Sequence, residues 1–326
     1  MPHQVESLAY TGEAPWHGLG TPVPGHVSPR RMQRAAKLDW EVEKRPLFYK
    51  TREEQGADAP AKRAPGQYAL VRQSDGQLLD IVKSNWEPVQ NHEAFTFFHD
   101  LVRAGEMTME TAGSLANGKW VFALARARAA FQLSRAVRDV VESYVLFTNP
   151  HQYGRAVDIR FTPVRVVCHN TLSFALGQKD NRNRVSFGHR RRFPLARAQA
   201  LVRRMAEQLE NYRLKAERLA GKRYRAEDLD RYFRQVFKPA IPPRNPRGDA
   251  LPLTRNAARA IEIVERQPGH NLAPGTWWNA FNAVTYLTDH EIGRSAETRL
   301  VTAWYGPGNA RKVRALELAL AFARAA

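Results

Sequence analysis

The chain has 326 residues, 43% of them hydrophobic, with 50 Lys+Arg against 32 Asp+Glu and a formal net charge of +18. That apolar content is enough to bury a core and excludes a disordered chain, while no apolar run approaches the ~20 residues of a membrane-spanning helix. Cys168 is the single cysteine, which excludes an internal disulfide and a cysteine-cluster metal site.

The first residues carry no apolar stretch behind a basic start, so no secretory leader is expected, and a bacterial host cytoplasm is the expected location. The segment Pro15-Trp16-His17-Gly18-Leu19-Gly20 reads as a tight loop docked on its own core or on a neighbouring subunit. Residues 53–66, polar and rich in Ala, Pro and Gly, read as a mobile loop. A hairpin follows over 67–83 with Asp75-Gly76 at its turn, then a helix over 91–102 that places Phe95, Phe98 and Leu101 on one face. Residues 107–112 and 119–128 form a second hairpin around Asn117-Gly118. Residues 143–148 and 156–168 form a third strand pair, in which Val157, Ile159 and Phe161 point inward and Asp158, Arg160 and Thr162 outward. Pro163 should mark a bulge or an edge.

From Pro194 the period becomes helical. Leu195, Ala198, Leu201, Met205, Leu209, Tyr212, Ala216 and Leu219 recur at spacings of three and four and predict one helix that stops at Gly221. A second amphipathic helix carries Leu229, Tyr232, Phe233, Val236 and Phe237, and helices are predicted over 254–267, 276–289 and 310–325. Strands first and helices later give an α+β fold, a curved antiparallel sheet with packed helices followed by a mainly helical C-terminal part. The expected division is a strand-rich core over 1–190, basic amphipathic helices over 191–238, a Pro-rich linker over 239–253 and a helical part over 254–326.

The charge is not spread evenly. Residues 182–247 hold 19 basic and 6 acidic side chains, whereas residues 1–181 hold 22 and 19. A concentrated field suits a polyanion, and Arg in particular forks onto phosphate and stacks on bases. The competing reading is a genome whose codons favour Arg. Two sets of candidate nucleic-acid-binding residues follow. The first is a strand set, Lys119, Arg126, Arg128, Arg155, Arg160 and Arg165, with Tyr153 as the exposed ring beside it. The second is a helical set, Arg190, Arg191 and Arg192 just before the helix, then Arg197 and Arg204 on it. For each, the alternative is a solvated face.

Catalytic chemistry is poorly signalled. Cys168 and His169 are neighbours on a strand and point to opposite faces. His92 and His99 share a helix face without a third ligand, and His92, Glu93, Asp289 and His290 are the residues a metal-dependent nuclease would use. Neither phosphate-cradling nor dinucleotide-binding glycine loops occur, so no cofactor is expected.

Four stretches carry a family resemblance: Glu13-Ala-Pro-Trp-His-Gly-Leu-Gly20, Thr111-Ala-Gly-Ser-Leu115, Phe161-Thr-Pro-Val-Arg-Val-Val-Cys-His-Asn-Thr-Leu172, and Gly275-Thr-Trp-Trp-Asn-Ala-Phe-Asn-Ala-Val-Thr285 onward to Asp289-His290. The chain resembles a phage/plasmid-like protein family defined by a domain of unknown function, and more distantly the single-strand annealing recombinases. That resemblance implies single-stranded DNA binding and ATP-independent annealing by a homo-oligomer, a ring or a filament. A duplex DNA or RNA regulator of a mobile element and a metal-dependent nuclease are the alternatives. The apolar faces of residues 195–219 and of Trp277, Trp278 and Phe281 are the expected contacts between copies, the alternative being that they pack on the sheet of the same chain.

Overall fold

The computed structural model describes residues 5–12, 20–51, 60–133, 139–165, 170–171, 184–189, 195–239, 251–293, 302 and 306–325. The chain is α+β. Two compact units divide it, one of residues 1–128, 145–160 and 184–202, the other of 129–144, 161–183 and 203–326.

Eleven strands are described: β1 Val5–Tyr10, β2 Thr21–Pro22, β3 Val42–Tyr49, β4 Lys62–Arg72, β5 Leu78–Lys83, β6 Met107–Leu115, β7 Trp120–Gln132, β8 Val140–Pro150, β9 Ala156–Arg165, β10 Asn170–Thr171 and β11 Arg184–Gly188. Eight of them form one sheet, ordered β10-β9-β8-β7-β6-β1-β2, with β11 also paired to β9. The pair β1–β2 is parallel, so the sheet is mixed rather than purely antiparallel. β3, β4 and β5 form a separate antiparallel sheet.

The turns form where their chemistry requires. Asn117 and Gly118 both take positive φ, 56° and 82°, as the tight β6–β7 connection demands. Gly113 on β6 lies against β1, where a Cβ would stand 2.4 Å from the Ser7 carbonyl, so this register needs glycine. Pro163 falls between the stretch of β9 that pairs with β11, 156–160, and the stretch that pairs with β10, 164–165, so its missing N–H breaks no ladder bond on that side.

In the first unit, α1 (Pro29–Ala35) and α2 (Asn91–Arg103) supply apolar faces. Glu93 closes a capping box on the Gln90 N–H, and Phe95, Phe97 and Phe98 are at most 1% exposed. The predicted hairpin over 67–83 is present, but β4 begins at Lys62, so part of the stretch read as a loop is strand.

The predicted helix after Pro194 is two helices, α3 (Leu195–Arg203) and α4 (Met205–Ala220), interrupted at Arg204. Then come α5 (Ala226–Val236), α6 (Arg255–Ile263), α7 (Trp277–Tyr286) running into a π-helical turn at Leu287–Glu291, and α8 (Pro307–Ala325). In the second unit Trp277, Trp278 and Phe281 are completely buried. Trp277 stacks on Phe322 at 5.2 Å and meets Tyr232 edge-on at 5.4 Å. Trp278 Nε1 donates to the buried Asp139 Oδ2 at 2.8 Å. The apolar faces expected to join copies are therefore buried within the chain itself, with Leu214, 52% exposed, as the exception on α4. Among the described residues no helix is long and apolar enough to cross a membrane.

Candidate nucleic-acid interface

The strand candidates do not form one outward face. Asp158 is 1% exposed and Thr162 is 8% exposed, so the face of β9 expected to meet solvent is covered like the other. Arg160 Nε donates to Asp158 Oδ1 at 2.6 Å, and Arg184, directly opposite Arg160 on β11, donates to Asp158 Oδ2. Two arginines side by side across a ladder repel, and the buried carboxylate between them turns that repulsion into a clamp. Arg160 is thus a partner of a core carboxylate, which corrects its reading as a strand-facing cation. Alternation shows which side a residue takes but not whether that side is open.

Lys119, expected on the strand, is the last residue of the β6–β7 turn and is half-buried. Its carbonyl accepts from the His151 N–H at 2.8 Å, which brings the turn against the β8–β9 connection. There the Arg155 guanidinium lies 5.8 Å from the Trp120 ring centre, Trp120 Nε1 donates to Gln152 Oε1, and Tyr153 is 42% exposed with its N–H on Asp80 Oδ2. Lys119, Tyr153 and Arg155 are therefore gathered at one corner. Arg126 and Arg128 are exposed further along β7, with Arg126 Nε 3.7 Å from Glu110 Oε2. The Arg165 side chain and Arg190, Arg191 and Arg192 lie outside the described residues, as do Trp16, Cys168 and His169.

The helical candidates stand in the open. Arg197 on α3 is exposed. In the second unit Arg204 is exposed at the α3–α4 break, and Arg218 follows 14 residues later. Fourteen residues are close to four helical turns, so the two share a face about 21 Å apart. Glu210 and Glu217 are both taken up by Arg213, at 2.6 and 2.5 Å. The Arg213 guanidinium holds the Glu210 carboxyl below its ordinary range. Arg231 and Arg234 are likewise paired, with Asp228 and Asp230. Glu207 is exposed in the same stretch, and over residues 203–225 the exposed cations without a carboxylate partner among the described residues are Arg203, Arg204, Arg218, Lys222, Arg223 and Arg225.

The last three of these sit on a fixed corner. Trp277 N–H donates to the Lys222 carbonyl at 2.9 Å and Tyr224 N–H to the Gly275 carbonyl at 3.1 Å. Gly275 has φ +71°, and a Cβ there would meet the Arg223 guanidinium at 3.1 Å. The main chain between α4 and α5 is thereby tied to the start of α7 while the cations project into solvent.

The residues named for a nuclease serve other ends. His92 is exposed, Glu93 closes the cap of α2, Asp289 accepts from the fully buried Lys312 Nζ at 2.7 Å, and His290 lies 4.8 Å from the Tyr286 ring. Among the described residues no group of three His, Cys, Asp or Glu could hold a metal ion.

Two features escaped the sequence reading. One is a buried pair of histidines in the first unit. His151 donates from Nε2 to Asn91 Oδ1, 3.1 Å away, and His189 stacks on Trp86 at 4.1 Å. Burial pushes their pKa values down, to about 3 and about 4, so both are neutral. The other is the outer end of the β3–β4 ribbon, where Phe48 and Tyr49 are 55% and 48% exposed. No periodicity signals either feature, because one depends on connections meeting in space and the other on how a ribbon end stands in the fold.

Residues 78–316 match the family described as a domain of unknown function (DUF932), nearly three-quarters of the chain, and the protein belongs to that family. No curated protein and no solved structure matches it.

Proposed function

We propose that this protein binds single-stranded DNA without nucleotide hydrolysis and promotes the annealing of complementary strands in phage or plasmid recombination. The observation that carries this reading is the set of exposed cations from the end of α3 to the α4–α5 corner, Arg203, Arg204, Arg218, Lys222, Arg223 and Arg225, beside which Glu210 and Glu217 are taken up by Arg213. They belong to the 66-residue stretch in which the excess positive charge is concentrated. Annealing needs phosphates held while base edges stay accessible, and it needs no nucleophile. Assembly of several copies along the strand belongs to the same reading.

The test is binding of a labelled oligothymidylate across a salt series, with and without Arg204→Glu/Arg218→Glu. About six phosphate contacts give a log–log slope near −4, and the double variant should lower its magnitude by about 1.4. A slope near zero in the parent removes nucleic acid as the partner.

A further inference from the structure

We infer that the outer end of the β3–β4 ribbon is a stacking platform for unpaired bases, a site separate from the helical cations; the inference rests on the nucleic-acid reading above. Phe48 and Tyr49 stand 55% and 48% exposed at the ribbon end. Phe48 and Tyr49 are consecutive on β3 and so point to opposite faces of the ribbon. Directly across the ladder, Phe48 faces Arg63 and Tyr49 faces Lys62 on β4. Cross-strand partners have Cβ atoms about 5 Å apart, so one face of the ribbon end presents the Phe48 ring beside the Arg63 cation.

The arrangement is braced from behind. Arg63 Nη2 donates to the Tyr68 hydroxyl at 3.3 Å, and its guanidinium lies 6.0 Å from that ring's centre. Lys44 Nζ stands 5.2 Å from the same centre and bonds Glu87 at 2.8 Å. Arg63 has no carboxylate partner among the described residues and is held ready for an anion.

A nucleotide offers the complementary pair, a flat base and an anionic phosphate. In a duplex the base faces are covered by their neighbours, so rings of this kind engage only an unpaired strand. Charge and ring together select single-stranded nucleic acid over a protein partner or a second copy, which would cover the rings but leave Arg63 without a counter-charge.

The experiment compares the full chain with Phe48→Ala/Tyr49→Ala and with Arg63→Ala, by fluorescence anisotropy on labelled oligothymidylate and on a duplex. Each stacked base is worth about 5- to 100-fold in affinity, so the ring variant should bind the single strand at least tenfold more weakly. It should keep the parent's salt slope and duplex affinity. The cation variant should instead lose about 0.7 of slope for each phosphate contact removed. Phe48→Leu/Tyr49→Leu, which keeps apolar bulk without a π face, must show the same single-strand loss, and it serves as the test if the alanine variant does not fold. Ring variants that bind like the parent, while Arg204→Glu/Arg218→Glu weakens binding, overturn the platform and leave the nucleic-acid reading standing. A parent that binds no nucleic acid overturns both. A fall in light-scattering mass of the DNA-free ring variant assigns the ribbon end to a contact between copies and overturns the platform.

Discussion

Replacing Arg160 by Ala tests whether this residue faces a ligand or the core. Its side chain is 16% exposed and bonds a carboxylate that is itself 2% exposed. Removing one partner of a buried ion pair costs about 3–5 kcal/mol, chiefly because the remaining charge is left uncompensated. Here Arg184, whose own side chain is 44% exposed, still reaches the second oxygen of Asp158. The loss should therefore be about half the full figure, ~2 kcal/mol. At about 2–4 °C per kcal/mol for a domain of this size, the melting temperature should fall by about 4–8 °C. The assay is thermal unfolding followed by circular dichroism, with Arg184→Ala and the double variant completing a cycle. The two arginines share one acceptor, so their effects should not add. An Arg160→Ala protein that melts with the parent yet loses affinity for a single strand would refute the clamp and return Arg160 to the binding surface.

Stability should fall as the pH drops below about 6.5. His151 and His189 have folded pKa values of about 3 and about 4, lower than in the unfolded chain, so their contribution is complete above the unfolded value and is lost on acidification. Each histidine contributes up to about 1.4 kcal/mol per pH unit between pH 6 and pH 4, and urea melts that do not change between pH 7 and pH 5 would contradict this. His151→Gln should flatten the dependence, read from the same melts. Trp278→Phe removes the donor to buried Asp139 and should cost about 1–3 kcal/mol in denaturant titration. Arg218→Glu/Arg223→Glu should weaken single-strand binding alike for all base sequences, measured by anisotropy on homopolymers, since phosphate contacts carry no base information.

What the sequence determined by itself was local. Alternation along β9, the Asp75-Gly76 and Asn117-Gly118 turns and the three-and-four spacing from Ala198 to Leu219 are short-range patterns. The strands, hairpins and helix faces they predict are present, and the α+β class with them. The concentration of Arg in 182–247 was equally legible, because charge is a property of composition. Tertiary structure decided what each residue meets. The pattern Val157-Asp158-Ile159-Arg160 is the same whether the second face is wet or covered, and only β11, bringing Arg184 beside Arg160, makes Asp158 the centre of a buried clamp. Glu210 and Glu217 look free to neutralise a long basic helix until both are found on Arg213, which leaves Arg204 and Arg218 open. Neither Phe48 nor Tyr49 is singled out by any pattern in the sequence. They stand 55% and 48% exposed at the end of the β3–β4 ribbon, a condition set by how the strands pair and not by residue type.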